Sequence, residues 1–414
     1  MVLICTSVIM ENIQNTWLCN RSTTGTTTTG TFQFDAFGRL RVSQPHTLFD
    51  SHHRYKANEK FYSNVTGNGT VTYSNTESSV LLNVTQTSGD GAYQESKYVF
   101  NYQPGKSLLI LNTFVMSSPK TGLTQRVGYF GTNNGYYIEQ SGTTVSLVER
   151  SNGTSTSVQQ SVWNGDRLDG TGPSKFVLDL TKSQIFFIDI EWLGAGSVRI
   201  GFVINGQFVT CHTFHHANIV PRAYMTTGCL PVRYEIFNTT GTSGSSTLRQ
   251  ICSTVLSEGG YEPKDQLYCV SGPLIGQTLT GTLIPVCSIR LDSGRLDAIV
   301  TLKQVNVAVA TNNDLAQWRI VLNGTLTGAT FAGGTDGSTN INVDTAASAI
   351  SGGRVIEIGF AQTGSVNAGL DTSVFESQLG RNSFLGTSDV LTLCLVGLSA
   401  NPKAFWSLAW SETI

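Results

Sequence analysis

The run Phe187-Ile188-Asp189-Ile190-Glu191 holds the residues best placed to do chemistry. On a β-strand, side chains two positions apart share a face, so Phe187, Asp189 and Glu191 project together. Two carboxyl groups flanking one glycosidic bond are what hydrolysis with retention requires, one as nucleophile and one as acid. The full arrangement on one strand is a row Glu-x-Asp-x-Glu, and Phe187 stands where the nucleophilic Glu would be. The row is therefore read as catalytically empty, with Asp189 and Glu191 pairing with Arg199 or hydrogen-bonding across a sheet. No catalytic residue is assigned, and the chain is expected not to be an enzyme.

Cys211-His212-Thr213-Phe214-His215-His216 is the one cluster of possible metal ligands in the sequence. Strand alternation sends His212 and His216 to one face and Cys211 and His215 to the other. At most two ligands then converge, whereas zinc wants three or four, and nothing requires His52-His53 to assist. No metal and no cofactor is assigned. A Gly-x-Ser-x-Gly elbow is absent from the sequence, as is a glycine-rich loop ending in Lys-Ser/Thr. The glycines of Gly128 to Gly135 are read as serving a turn between strands. Tyr136 and Tyr137 follow one Asn-Gly pair and Trp163 precedes another. Their rings offer a platform on which sugars would stack, which makes them the candidate glycan contacts. The competing reading, favoured by alternation in a sandwich, buries all three in a core. The sequons at Asn64, Asn83 and Asn238 carry no assignment in a chain so rich in Asn and Thr.

The elements that must hold these residues are strands. The chain has 414 residues, which suits two domains, with 40% hydrophobic residues to fill their cores. Only 13% are charged, against about 25% in a typical soluble domain. Thr, Ser, Asn, Gln and 43 Gly supply the polarity instead. Thr suits a pleated strand, and Gly and Asn suit tight turns, so the composition predicts an all-β protein. A net charge of −2, thinly spread, argues against a nucleic-acid surface. A weakly charged exterior also lacks one defence against association, so a homo-oligomer is expected, with a trimer a common arrangement. Eight cysteines (Cys5, Cys19, Cys211, Cys229, Cys252, Cys269, Cys287 and Cys394) show no zinc-knuckle spacing. They are read as free, mostly buried thiols. No run approaches the roughly 18 apolar residues of a membrane span, so no membrane partner is assigned. Met1 to Met10 has no basic leader or cleavage site and reads as a strand or docking arm rather than a signal peptide.

Along the chain, Ser22 to Thr31 is a Thr/Gly tract, and residues 1–31 are read as an extended arm. Alternation at Val80 to Thr85, Ser107 to Met116 and Gln125 to Phe130 predicts strands. Six Asn-Gly pairs, at 68, 134, 152, 164, 205 and 323, are read as type I′ turns. Residues 197–210 form the clearest hairpin. Gln184 to Leu193 is a central strand with Phe186, Ile188, Ile190 and Trp192 on its core face. Residues 32–262 are therefore expected to form a jelly-roll or concanavalin-like β-sandwich. After Gly259-Gly260 aromatics thin out, and residues 263–414 are expected to form a second β-sandwich, with strands near Ala298 to Ala310, Trp318 to Thr325, Arg354 to Phe360 and Val390 to Leu398. At most a helical turn or two is expected, near Val374 to Leu379.

Long non-catalytic motifs carry a resemblance. Phe34-Asp35-Ala36-Phe37-Gly38-Arg39-Leu40-Arg41-Val42-Ser43, then Thr47-Leu48-Phe49-Asp50-Ser51, Tyr102 to Lys106, Gln125 to Gly131 and Leu168 to Ser174 are similar to a group of proteins from marine tailed phages, including cyanophages. Ile188 to Asn218, Tyr224 to Thr227 and Ile251 to Tyr261 continue the likeness, which spans about residues 34–262. The resemblance implies a virion structural role as capsid decoration, spike or fibre, with the arm contacting other virion proteins. Attachment to a host surface glycan, in the manner of a lectin-like receptor-binding protein of the tail, is the alternative. A polysaccharide-degrading enzyme is the third and weakest reading.

Overall fold

The computed structural model describes residues 44–310, 313–333, 340–363 and 378–413, with the backbone of 368–369. The expected arm and the run 32–42 lie outside the described residues, as does most of the helical turn expected near residue 374.

Fifteen strands build the first sandwich: β1 (Pro45–His52), β2 (Phe61–Thr66), β3 (Thr70–Ser74), β4 (Ser79–Val84), β5 (Gly91–Ser96), β6 (Ser107–Val115), β7 (Leu123–Phe130), β8 (Gly135–Ser141), β9 (Thr144–Ser151), β10 (Thr154–Gln159), β11 (Gln184–Ile190), β12 (Val198–Ile204), β13 (Gln207–Phe214), β14 (Val232–Asn238) and β15 (Ser246–Glu258). One sheet runs β13-β12-β11-β6-β15-β4-β3, with β1 also on β15. The other runs β10-β9-β8-β7-β14-β5-β2, and every pairing in both is antiparallel.

Alternation explains which residues meet between the sheets. In β6, Leu108, Ile110, Asn112 and Phe114 are buried while their neighbours are half-buried. Phe186, Ile188 and Ile190 of β11 join that core, facing Val127 and Tyr129 of β7 and Val232, Tyr234 and Ile236 of β14. Each such side chain, fully buried, contributes about 1.5–3 kcal/mol. The buried Tyr234 hydroxyl crosses the core to Ser253 at 2.7 Å and Asn112 Oδ1 at 3.2 Å, linking polar groups of the two sheets.

The Asn-Gly pairs behave less uniformly than expected. Asn152-Gly153 and Asn205-Gly206 have both residues at positive φ, as a type I′ turn requires. At 134 only the glycine has positive φ, at 323 only the asparagine, and at 68 and 164 neither residue does. The thiols differ too: Cys211, Cys287 and Cys394 are buried, Cys229 and Cys252 half-buried, and Cys269 exposed.

A second core gathers around Trp318, Trp406 and Trp410. One of its sheets pairs Gln266–Ser271 and Ile299–Val309 to either side of Lys403–Thr413. The other runs through Ile341–Asp344, Ile284–Leu291, Val390–Gly397, Leu315–Leu322 and Arg354–Gln362. The strands expected in this half are present within a residue or a few at each end. The molecule is thus all-β with two sandwich cores. Among the described residues the one helical turn is the 3₁₀ segment Gln160–Val162.

Residues 378–389 join the second sandwich to the outer face of the β7–β14–β5–β2 sheet. Arg381 Nη2 lies 3.0 Å from Glu95, Ser383 donates to Glu95 at 2.7 Å, and Tyr62 donates to Asp389 at 2.8 Å. The chain of charge continues through Arg233, Glu235, Arg126 and Glu139, with contacts between 2.6 and 3.2 Å.

Candidate functional site

The outer face of the β13–β12–β11–β6–β15 stretch carries a cleft of about 710 Å³. Antiparallel register puts Asp189 opposite Arg199, and Arg199 opposite Thr213. Lys106 and Ser107 open β6 beside Glu258 at the end of β15, with Ser107 Oγ donating to Glu258 at 3.2 Å. Glu191 and Ser197 sit at the two ends of the tight turn joining β11 to β12. The Glu191 N–H donates to the Ser197 carbonyl at 3.1 Å and the Ser197 N–H returns to the Glu191 carboxylate at 3.3 Å. Only glycine fits at 196, because a Cβ there would lie 2.0 Å from the Glu191 carbonyl oxygen. His215 Nδ1 lies 3.2 Å from Ser197 Oγ, and Tyr102 accepts the Trp192 N–H at 3.1 Å beneath the turn.

The electrostatics of this cleft are those of a paired surface. Burial pushes the Asp189 carboxyl above the usual carboxylate range, and the Arg199 guanidinium that it contacts pulls it back. Phe187, in line with Asp189 on the same face, packs its ring edge-on to Phe208 at 5.0 Å. The row is therefore aromatic at Phe187, ion-paired at Asp189 and hydrogen-bonded to the turn at Glu191. A second cleft of about 410 Å³ adjoins it, sharing Tyr102 and Lys106 and reaching Lys264, Asp265 and Thr413. Carboxylates, cations, hydroxyls and an imidazole alternate along these walls. Such lining hydrogen-bonds well to a hydroxyl-rich ligand, and three carboxylates, Asp189, Glu191 and Glu258, stand in it.

The candidate glycan contacts Tyr136, Tyr137 and Trp163 are 0%, 1% and 2% exposed, so the platform is not formed and the favoured reading of buried rings describes them. Tyr136 points into the core, 5.3 Å from the Phe214 ring, with its hydroxyl 3.4 Å from His216 Nε2. Tyr137 faces the other side of β8, where the Arg126 and Arg150 guanidinium groups cover its ring at 5.5 and 5.0 Å. Trp163 is closed off by its own Nε1–H, which donates to the Val158 carbonyl at 3.0 Å. None of the three can meet a sugar.

The histidine cluster is dispersed by a bulge. Ile200 pairs with His212 and Gly201 with Thr210, so Cys211 has no opposite residue and alternation is lost there. Cys211 enters the core, and burial pushes its thiol well above the usual range. His212 accepts the Asn164 N–H, His216 stacks on Tyr224 at 3.8 Å, and only His215 lines the cleft. Among the described residues no three His, Cys, Asp or Glu side chains gather as metal ligands. The cleft's Lys106, Ser107 and Glu258 were missed in the sequence. No signal there ties β6 to a strand some 150 residues later.

No protein-family model and no curated protein sequence matches the chain. Among solved structures, the chain is similar to the carbohydrate recognition domain of Emp47p, at 9% identity over 55% of this chain and 100% of that one, with a TM-score of 0.35. It is similar to a β-1,3-glucanase from Mycobacterium marinum at 10% identity over 51% and 98%, with a TM-score of 0.36. A glycosyl hydrolase family protein from Mycobacterium fortuitum shares 9% identity over 51% and 99%, with a TM-score of 0.37.

Proposed function

We propose that this chain is a structural protein of a tailed-phage particle, working by contact with other virion proteins and with copies of itself rather than by chemistry. The observation that carries the non-enzymatic part is the outer row of β11, where Phe187 fills the nucleophile's position and Asp189 is tied to Arg199. The virion part rests on the phage-like motifs between residues 34 and 262, with residues 1–31 assigned to anchoring. Peptide mass spectrometry and immunogold labelling of purified particles test it. The chain is expected in particles, and deletion of residues 1–31 is expected to abolish incorporation while the soluble fold persists. Absence of the full-length chain from particles would overturn the proposal.

The cleft favours a second, compatible reading, attachment to a surface glycan. Its walls bring the polar side chains of Glu191, Arg199, Thr213, His215 and Ser107 to one cleft on the face of a sheet. On a glycan array the oligomer is expected to bind a polysaccharide, with Arg199→Ala and Glu191→Gln each lowering binding at least tenfold and no product released. Hydrolysis lost on Glu191→Gln would sink the non-enzymatic reading.

A further inference from the structure

Among the described residues, the stretch 355–361 of the strand Arg354–Gln362 is ladder-paired on one side, to Leu315–Leu322, at the end of the six-stranded sheet of the second sandwich, while Thr363 just beyond it bridges Val309. Its outward face carries Ile358 and Phe360, 52% and 62% exposed, with Val355 and Ile356 exposed beside them. The opposite face is committed to the core: Ala361 is buried, and a Cβ on Gly359 would lie 2.3 Å from the Trp318 ring. Sheet edges invite pairing, and natural proteins blunt them with lysine, proline, a bulge or a cover. Here the bulge sits near the start, between the partners of Val321 and Ile320. The run from Glu357 to Ala361 is regular and holds neither lysine nor proline.

We infer that the Arg354–Gln362 edge is an interface between two copies of this chain, joined antiparallel about a two-fold axis at Gly359. The occupant follows from the strand's own pattern. About Gly359, Ile358 lies opposite Phe360 of the second copy and Phe360 opposite its Ile358, two cross-strand pairs of β-branched and aromatic side chains. The one charge within the regular run, Glu357, then faces the small Ala361 of the second copy. Shifting the axis to Glu357 would set two carboxylates face to face, and shifting it to Ile358 would draw both bulges into the ladder. Arg354 lies beyond the paired stretch and is already matched with Glu59 at 2.9 Å. A two-fold contact of this kind is isologous, each copy presenting the same patch. It deepens the self-association part of the assembly reading and rests on that part alone.

The test is sedimentation equilibrium of the full-length chain at micromolar concentration, beside thermal melting. The native chain is expected to be a dimer, and Ile358→Lys and Phe360→Asp are expected to be monomers that melt within a few degrees of it. In a Cys269→Ser background, mixing Ile358→Cys with Phe360→Cys is expected to give a disulfide-linked heterodimer under mild oxidation, while neither variant alone links efficiently. A native monomer at tens of micromolar overturns the inference. So does an oligomer that survives Ile358→Lys, although assembly through another surface would then stand.

Discussion

His53 shows how one enclosed ring sets a pH limit. It is 1% exposed, accepts the Asn58 N–H on Nδ1 at 3.0 Å, and is held neutral to a pKa of about 4 by burial and by His52 beside it. The unfolded chain takes up this proton near pH 6.5, so the stabilisation is whole above that pH and falls away as pH drops towards 4. The span corresponds to roughly 3 kcal/mol. His216 works in the other direction: burial lowers its pKa, but hydrogen bonds with Glu149 and the Gly196 carbonyl outweigh this and raise it. Its contribution is whole below pH 6.5 and is lost as pH rises through the raised value. Melting temperature is expected to peak near pH 6.5, and His53→Leu, after an initial loss of about 1 kcal/mol for the missing acceptor, is expected to flatten the acid limb. An unchanged acid limb in that variant would rule His53 out. At this scale the sequence was informative where a neighbour two positions away or on the next strand decided the matter, as with Phe187 beside Asp189 and Arg199 opposite it. It was silent on Tyr137, whose cover comes from guanidinium groups on other strands.

Strands were legible because alternation is a local signal, and the core face of β11 reads directly from Phe186, Ile188 and Ile190. Hairpins were legible only where the turn is short enough for Asn-Gly to dictate it, as at Asn205-Gly206. At Asn164-Gly165 the chain instead packs against β13, where the Gly165 N–H donates to the Cys211 carbonyl at 2.9 Å and a Cβ would lie 2.5 Å from the Thr210 carbonyl oxygen. Tertiary contact chose the glycine there. Bulges were illegible, since the extra residue at Cys211 follows from how β12 and β13 meet and not from the identity of that cysteine.

Across the whole molecule, the two sandwiches are joined by charges far apart in sequence. Arg381 and Glu95 are 9% and 2% exposed, and Glu95 is shared with Arg233. Removing one partner of a buried pair costs about 3–5 kcal/mol where the other is left uncompensated, and less here, because Glu95 keeps Arg233 and Ser383. Arg381→Ala is expected to split a single calorimetric transition into two, as the second sandwich melts free of the first. A single unshifted transition would show that the contact does not couple them. No reading of the sequence could have matched these residues, because charge carries no register. The division into two cores was visible only as a thinning of aromatics.

The docking segment grips one sheet of the first sandwich, while the main cleft opens on the other. A ligand in that cleft therefore meets it without displacing the second sandwich. If, as proposed, many copies are displayed together and each cleft takes a glycan, each cleft can be individually weak and still hold a surface, since once one site is engaged the next meets its ligand at a local concentration of about millimolar. Shallow recognition repeated in this way gives a grip that is firm overall yet released one site at a time.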